Sequence, residues 1–456
     1  METTALVGDA TLALPPEIWG LVLEHLPVQD LVKAKYVCKL WCSLAGPLCE
    51  TVVWFFGRPA KPQKVSSAEE ARGVSFDAGR LPVKIPPTNG FKHVVQAVAS
   101  HHQVLLLTGE GKVFTLELFK DKHVVVCPLP GLLSHFVVKM ASGENHTMFI
   151  TGFFSSYCSL LFLFLYIIFT PEKIDKGEVL LLDGYPSREI MPAKDVPGRV
   201  IAGAVGVHHF LIVTDEGKLF SRFIADIAVT NVGQTGLPTR SATFLQVPGL
   251  DHEKIVACAA GGFHSLALTA TGKIYAFGWG EHGSLGVGDR EQRNHPVLVE
   301  RMGSHMVIQV TAGRHHSICL TGKSFFTFLS FAKHFNIYFM LSSIESGRVF
   351  TWGIGQNGAR GTGLNGVHRK AVNPEEVTGL NGHRIVQVCA GEYYVLARSD
   401  KGQVFAWGEN QHCQLGTQHC QHQMEPMLVE ALTDYPATFV AAGGQQSVVI
   451  THHRNQ

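Results

Sequence analysis

The stretch IVACAAGGFHSLALTATGKIYAFGWG, residues 255–280, sets the pattern on which most of the chain is built. It reads as an apolar segment, a glycine turn, a second apolar segment, a T-x-x-G-K hairpin and a third segment that ends near Trp-Gly. Short apolar segments between turn signals indicate β-strands. Further copies begin at Val94, Val137, Val200, Val307 and Ile385, with a half copy from Phe439. Seven copies at a period of roughly fifty residues predict seven repeated antiparallel units.

A single unit of this kind cannot bury both of its faces, but units arranged in a ring cover one another. The fold class predicted is therefore mainly β, with a seven-bladed β-propeller over residues 91–456. The half copy at the end implies that its blade is completed by strands that precede Val94. Such a closure would remove the exposed sheet edges.

The repeated element A-G-x-x-H-S-x-x-L-T, followed by F-x-W-G and a glycine-rich tail, resembles the regulator-of-chromosome-condensation repeat. Trp352 and Trp407 stand at the W-G position, and Phe277 stands there in the fourth copy. The first two copies lack Trp-Gly, and Cys413 replaces a tail glycine in the sixth. The resemblance implies a propeller, and it leaves a nucleotide-exchange or chromatin-binding role as an alternative function.

The segment from Leu14 to Trp54 is of a different kind and predicts three short helices. Pro15 and Pro16 suit the first turn of a helix, Pro27 ends that helix, and Asp30 can cap the next. Three helices in about forty residues bury little area, so the block exposes apolar surface. We therefore expect it to dock on a partner, or else to pack as a cap on its own C-terminal domain.

The order Leu-Pro-x-Glu-Ile, then Leu-Pro, Asp-Leu and Val-Cys-x-x-Trp, resembles an F-box. The resemblance implies binding to a Skp-type adaptor and, through it, to a cullin and a ring-type ligase subunit. The chain would then be a non-catalytic subunit that recognises a protein substrate for ubiquitylation. The residues that would supply the adaptor contact are Leu14, Pro15, Pro16, Ile18, Leu26, Pro27, Leu31, Val37 and Trp41.

The domain division predicted is an F-box-like helical domain at 8–54, a linker at 55–90 and the propeller at 91–456. The linker is rich in Pro, Lys, Ser and Glu, with one strand expected around Val74–Phe76. The net charge is +1 and residues 1–10 contain no cationic leader pattern. We expect reduced thiols, a cytoplasmic or nuclear location, and neither a nucleic-acid nor a membrane partner.

Two apolar runs, residues 153–169 and 324–344, interrupt the repeats. Thr269 and Gly272 mark a hairpin three positions long, whereas Thr151 to Gly177 and Thr321 to Gly347 each span twenty-six. The runs are therefore insertions near 152–176 and 322–346, at the same hairpin of two blades.

A membrane span is a poor interpretation of these runs. Seventeen helical residues reach about 26 Å, short of a hydrocarbon core of about 30 Å, and the second run contains Lys333. Two spans would also place part of the ring across the membrane from the rest. An apolar flap on the propeller is one alternative. Translated intron fits the composition better, because pyrimidine-rich splice-acceptor tracts encode Phe, Leu and Ser.

The chain offers no catalytic or cofactor motif, and we predict no catalytic, cofactor-binding or metal-binding residues. His146, His209, His264 and His316 recur at one repeat position, so they should lie in separate blades, too far apart to share an ion. We expect buried imidazoles that are hydrogen-bonded to neighbouring strands. The cluster around Cys413 and Cys420, with three histidines, is interpreted as an exposed loop, with a metal site as the alternative.

Overall fold

The structure, a computed structural model, describes residues 49–57, 74–75, 82–85, 93–101, 103–118, 123–152, 178–182, 189–193, 195–224, 232–238, 241–322, 347–363 and 369–454. In these ranges the strands are β1 (Cys49–Gly57), β2 (Val74–Ser75), β3 (Val83–Ile85), β4 (Val94–Ala99), β5 (Val104–Thr108), β6 (Val113–Leu118), β7 (His123–Pro128), β8 (Val137–Ser142), β9 (Thr147–Thr151), β10 (Val179–Leu182), β11 (Ile190–Pro192), β12 (Val200–Val205), β13 (His209–Thr214), β14 (Leu219–Phe223), β15 (Leu245–Gln246), β16 (Ile255–Ala260), β17 (His264–Thr269), β18 (Ile274–Gly278), β19 (Arg293–Leu298), β20 (Val307–Ala312), β21 (His316–Thr321), β22 (Val349–Ile354), β23 (Lys370–Glu376), β24 (Ile385–Ala390), β25 (Tyr394–Ser399), β26 (Val404–Gly408), β27 (Gln423–Leu428), β28 (Ala437–Gly443) and β29 (Gln446–Arg454). Single 3₁₀ turns occupy Pro130–Leu132, Glu300–Met302, Gln356–Gly358, Thr378–Leu380 and Glu430–Leu432.

The strands form seven antiparallel sheets, each of which is one blade. Blade 1 contains β4 to β7 with β2 at its outer edge, and blades 2 to 6 each use the next four strands along the chain. Blade 7 combines β28 and β29 with β1 and β3. The first strand of each blade packs beside the first strand of the next, and β28 contacts β4. The ring is closed, and the predicted seven-bladed β-propeller is confirmed.

The closing blade joins the two ends of the described chain. Strand β1 pairs with β29 along its whole length, from Cys49 opposite Arg454 to Gly57 opposite Gln446. Strand β3 pairs with the other edge of β1. The expectation that strands before Val94 complete the last blade is therefore confirmed.

Strands β1 and β3 do not follow the predicted division of the chain into a helical domain and a linker. The boundary expected between residues 54 and 55 falls inside β1, and the expected linker at 55–90 contributes strand β3. The strand expected near residues 74–76 is present as β2, paired with β7. Locally, Trp54 and Phe55 suit a helix end as well as a strand, because their sheet partners lie about four hundred residues away in the sequence. Trp54 Nε1, for example, donates to Thr451 Oγ1 over 2.9 Å.

Side chains of β1 alternate between two apolar clusters, as a strand requires. Val53 and Phe55 pack with residues of blade 1, including Val104 and Leu106. Val52, Trp54 and Phe56 face the other way and pack with residues of blade 6. The N-terminal strand thus links the first and sixth blades through the seventh.

Contacts between blades repeat around the ring through the W-G position. The aromatic ring at this position lies against a tail glycine of the preceding blade. The pairs are Gly236 with Phe277, Gly286 with Trp352, Gly361 with Trp407 and Gly416 with Phe56. The indole Nε1 of Trp352 also donates to the carbonyl of Ser284 over 2.8 Å. Phe56 therefore occupies the W-G position of blade 7, and the motif Trp54-Phe55-Phe56-Gly57 is its sequence signal.

Gly286→Ala is expected to destabilise the propeller more than Gly249→Ala. Both glycines have positive φ, +74° and +84°, and each substitution costs about 1–2 kcal/mol for that conformation. A Cβ on Gly286 would meet the Trp352 indole at 2.7 Å, whereas none of the described atoms lies within 4 Å of a Cβ on Gly249. Overpacking adds about 1–3 kcal/mol. Urea denaturation of both variants measures the difference; equal midpoints would show that the glycine–indole contact is unimportant.

Strand pairing continues across both interrupted hairpins. In the uninterrupted blade 4, Thr269 N donates to Lys273 O over 3.0 Å. The equivalent bonds in blades 2 and 5 run from Thr151 to Glu178 (2.8 Å) and from Thr321 to Arg348 (2.9 Å). The blades therefore keep their register on either side of each insertion. The inserted residues themselves, 153–177 and 323–346, lie outside the described residues, and none of the described helices is long and apolar enough to cross a membrane.

Candidate functional site

The residues predicted to contact an adaptor precede the first described strand in the sequence. All nine predicted adaptor residues, from Leu14 to Trp41, lie outside the described residues. The site that the structure does describe is built from the loops between the first and second strands of the blades, at one end of the ring.

In blades 3 and 4 the recurring histidine begins the second strand and its side chain contacts the next blade. Nε2 of His209 lies 2.7 Å from Ser265 Oγ, and Nε2 of His264 lies 2.8 Å from Ser317 Oγ. Each serine hydroxyl donates onward to a tail carbonyl; that of Ser265, for example, donates to Gln234. Burial lowers the pKa of His209 to about 3, so the ring is neutral. The predicted buried and hydrogen-bonded imidazoles are confirmed for these two blades.

His316 departs from that prediction. It is fully buried, and neither of its ring nitrogens has a hydrogen-bond partner among the described residues. The reason is that blade 6 has Val395 where blades 4 and 5 have serine. Burial lowers the pKa of His316 to about 4, so it too is neutral. His146 packs edge-on against Phe210, with ring centroids 5.9 Å apart.

The loops that precede these histidines converge on one end of the central channel, here called the channel mouth. The residue after the turn in each blade lies at the mouth, and its type is not fixed by the repeat. In blade order they are His101, Glu144, Val207, Gly262, Arg314, Glu392 and Gly444. Backbone bonds join neighbouring loops: Arg314 N donates to Glu392 O over 3.1 Å, and Glu392 N donates to Gly444 O over 3.3 Å.

Four of the mouth residues form one ionic cluster across the channel. The Arg314 guanidinium, from blade 5, donates to Glu144 of blade 2 over 2.7 Å and also to Glu392 of blade 6. His101 of blade 1 lies 2.9 Å from the other oxygen of Glu392. The cluster therefore connects blades that are not neighbours in the ring. Sequence reasoning missed it, because no motif marks this position.

Electrostatics within the cluster follow from these contacts. The hydrogen bond to Glu392 raises the pKa of His101, and it outweighs the effect of burial. Burial alone would raise the pKa of Glu392, but hydrogen bonds from His101 and Arg314 hold that pKa below its usual range. The cluster thus favours an ionised Glu392 beside a His101 that readily takes a proton.

Replacing His101 with glutamine is expected to destabilise the protein mainly at low pH. Because the pKa of His101 is higher in the folded state than its ordinary value near 6.5, its ionic contribution is fully present below about pH 6.5 and fades as the pH rises through the raised value. Thermal melts of wild type and His101→Gln between pH 5.5 and 8.5 measure this. A difference in melting temperature that grows with pH would contradict the assignment.

Aromatic and imidazole rings form an arc outside the ionic cluster. His208, Phe263, His315 and Tyr393 occupy the second position after the turn in blades 3 to 6. Successive ring centroids lie 5.2, 6.0 and 6.2 Å apart. Trp279 and His282 of blade 4 extend the arc, and Trp279 meets Phe263 edge-on at 5.5 Å. All of these rings except His208 are half-buried, so their remaining surface faces solvent.

One group at the mouth has the spacing of metal ligands. Donor atoms of His101, Glu144 and Glu392 lie within 4.8 Å of one another. The Arg314 guanidinium already bonds both carboxylates. The carboxylates therefore have a counter-charge of their own, and we assign no metal to them.

The cysteine and histidine cluster in the tail of blade 6 differs from its prediction. Cys413 and Cys420 form a disulfide with a Cα–Cα distance of 4.6 Å, whereas reduced thiols were expected. Cys413 has a φ of +58° and takes the place of a tail glycine. The loop is half-buried rather than exposed, because Asn410 binds it: its N–H donates to His422 Nδ1 and its side-chain amide to His419 O. These contacts indicate a structural loop.

A second cavity, of about 280 Å³, lies at the opposite ends of the first strands of blades 1, 2 and 7. Its lining is mainly apolar and includes Leu107, Phe136, Val138 and Phe439. Charged groups do not converge on it among the described residues, so it offers fewer specific contacts than the channel mouth.

Comparison with known families identifies two modules in the chain. Residues 12–49 match the F-box domain. Residues 271–320, 346–398 and 401–450 match the "Regulator of chromosome condensation (RCC1) repeat", and a second description of that repeat matches 255–284 and 385–414. The F-box match ends at Cys49, which is also the first residue of β1.

Similar proteins match about half of this chain. The chain is 33% identical over 251 residues to human "E3 ubiquitin-protein ligase HERC2", covering 54% of this chain and 5% of that protein. It is 29% identical over 198 residues to the "Ultraviolet-B receptor UVR8" of Arabidopsis thaliana, covering 43% of this chain and 39% of that protein. The chain thus spans well under half the length of either relative.

Solved structures share the fold. Human WBSCR16 superposes with a TM-score of 0.64 at 20% identity, covering 88% of this chain and 98% of that one. Prp20p from Saccharomyces cerevisiae superposes with a TM-score of 0.65 at 16% identity, covering 95% and 96%. At these identities the similarity concerns the fold alone.

Proposed function

We propose that this chain, which carries an F-box domain followed by RCC1 repeats, is the substrate-recognition subunit of a Skp-cullin-F-box ubiquitin ligase. The F-box domain would bind a Skp-type adaptor and so join the chain to a cullin and a ring-type ligase subunit. The propeller would hold a protein substrate. The order of the two modules resembles F-box only protein 24, and the proposal includes three short helices in the F-box region and a cytoplasmic or nuclear location.

One observation supports this proposal above the others: the F-box match runs directly into the first strand of the closing blade. In the sequence the F-box match and this strand adjoin, and we propose that the two modules are joined without a long linker. Substrate on the propeller would then stay near the adaptor, and proximity is what a receptor subunit contributes to ubiquitin transfer.

The proposed role is non-catalytic. The match to the relative named as an E3 ligase, HERC2, covers 54% of this chain and only 5% of that protein, so its activity is not carried over to this chain. Among the described residues, the buried Cys319 and the partly buried Cys258 and Cys389 have thiol pKa values that desolvation raises, which is the opposite of an activated thiol. Transfer of ubiquitin is therefore assigned to the other subunits of the complex.

A nucleotide-exchange or chromatin-binding role is the alternative. The net charge of +1 disfavours binding to nucleic acid, which relies on clustered positive charge. The fold similarity to Prp20p concerns architecture only. We therefore place the ligase role first.

The double substitution Leu26→Ala/Pro27→Ala is expected to reduce co-purifying adaptor and cullin by about tenfold or more, as for loss of interface anchors. Leu245→Ala, which truncates an exposed leucine on the propeller, is the control and should leave recovery unchanged. Quantitative pull-downs from cells that express each full-length form measure the effect. Equal recovery of the adaptor with wild type and the double variant would refute the proposed function.

A further inference from the structure

We infer that the channel mouth binds a basic segment of the substrate, one that presents arginine or lysine side chains to the aromatic arc. This inference rests on the proposed function, because it assigns the face of the propeller and the chemistry of the segment that a receptor subunit would hold. The surface consists of the rings of Phe263, Trp279, His315 and Tyr393 together with the carboxylates beside them.

The charges at the mouth favour a cation. Glu144 and Glu392 lie at the mouth, and Glu409 lies next to it, close enough for its charge to interact with that of Glu392; the only positive groups there, among the described residues, are the guanidinium of Arg314 and, when protonated, the imidazole of His101. Glu409 follows the W-G position of blade 6, and its N–H donates to Tyr393 O over 2.9 Å. Even with His101 protonated, negative charge is in excess. At the edge of the arc, Lys370 and Glu281 form a pair and balance each other.

Glu409 is the carboxylate left without a cationic partner. Its carboxylate accepts a hydrogen bond from the amide of Asn357 over 3.2 Å, and none of the ion pairs in the described chain includes it. Burial and the nearby Glu392 raise the pKa of Glu409. A positive charge placed beside it would offset both effects. The most favourable position for an incoming cation is therefore next to Tyr393.

The rings complete the recognition of such a cation. Aromatic faces attract guanidinium and ammonium groups through their quadrupole, and the attraction grows when water is excluded. The arc runs through blades 3 to 6 and ends at Tyr393, beside the unpaired carboxylate. Polar Asn145 and Gln445 occupy the equivalent positions of blades 2 and 7. The aromatic arc can therefore stack on side chains of the bound segment, while the polar residues on the other side of the mouth can hydrogen-bond to the backbone of that segment.

Fluorescence anisotropy with the full chain, purified after co-expression with a Skp-type adaptor, tests the inference. The probes are two labelled Gly-Ser peptides of equal length, one with four arginines and one with four glutamates. The arginine peptide is expected to bind about tenfold more tightly or better. Glu409→Gln and Tyr393→Ala should each weaken its binding about threefold or more. Glu430→Gln removes the same charge from a 3₁₀ turn at the blade periphery and should have no effect.

Two other outcomes overturn the inference. Equal binding of both peptides would show that charge at the mouth does not select the ligand. Equal weakening by Glu409→Gln and Glu430→Gln would show attraction to overall charge rather than to this surface. Adaptor recovery is measured on the same samples. Loss of adaptor recovery with intact peptide binding would refute the proposed ligase role and leave the inference about the channel mouth standing. Loss of selective peptide binding with intact adaptor recovery would refute the inference about the channel mouth and leave the ligase role standing.

Discussion

A chain that begins at residue 58 is expected not to form the closed propeller, whereas a chain that begins at residue 49 is expected to form it. The nine residues between these starting points are strand β1, and five of them, Val52 to Phe56, are buried apolar side chains. Burial of such side chains contributes about 1.5–3 kcal/mol each, or about 8–15 kcal/mol together. That sum is comparable with the whole stability of a domain, about 5–15 kcal/mol. Deletion would also leave β29 with an unpaired edge.

Circular dichroism melts and size-exclusion chromatography of the two truncated chains measure this effect. Val53→Asp in the full chain is a point test of the same strand, because the carboxylate would be buried against Ile85 and Ile450. Lys84→Asp, on the exposed side of β3, is its control. A cooperative melt of the chain from residue 58, at the temperature of the longer chain, would contradict the closure described above.

Replacing Arg314 with methionine is expected to cost about 2–3 kcal/mol, somewhat less than the loss of one partner from a fully buried ion pair. Arg314 bonds two carboxylates, Glu144 and Glu392, whose side chains are only 15% and 11% exposed. Without the guanidinium these two groups repel each other in a site with little water. The loss should be greatest near pH 8 and smaller near pH 5. The pKa of His101 is raised by its hydrogen bond to Glu392 and lowered by Arg314, so near pH 5 the imidazolium replaces part of the missing positive charge.

Arg348→Met is the matched control for Arg314→Met. Arg348 pairs with Glu376 over 3.4 Å at the surface, with the side chain of Arg348 46% exposed. Such a pair contributes about 1 kcal/mol at most. Chemical denaturation of both variants at pH 5 and pH 8 gives the comparison. Equal losses for the two arginines would mean that the mouth cluster is not energetically distinct from a surface ion pair.

Much of the fold was predictable because each repeat contains its own strand and turn signals. The T-x-x-G hairpins located both insertions, and the register on either side of them agrees with that placement. Blade 7 was harder, because Trp54-Phe55-Phe56-Gly57 follows an apolar helical pattern and suits its end equally well. Its likeness to Phe350-Thr351-Trp352-Gly353 was the available signal, since both end in an aromatic residue and a glycine with positive φ.

The repeat pattern does not predict the ionic cluster at the channel mouth. The residue after each turn glycine takes no part in strand pairing, so it varies from copy to copy and carries no pattern. Arg314 and Glu144 are 170 positions apart, and His101 and Glu392 are 291 apart. Strand and turn signals act over a few residues, and they therefore specify seven blades and the buried histidines of blades 2 to 5. Closure of the ring brings the variable positions within hydrogen-bonding distance, and that closure depends on β1 pairing with β29 at the far end of the chain.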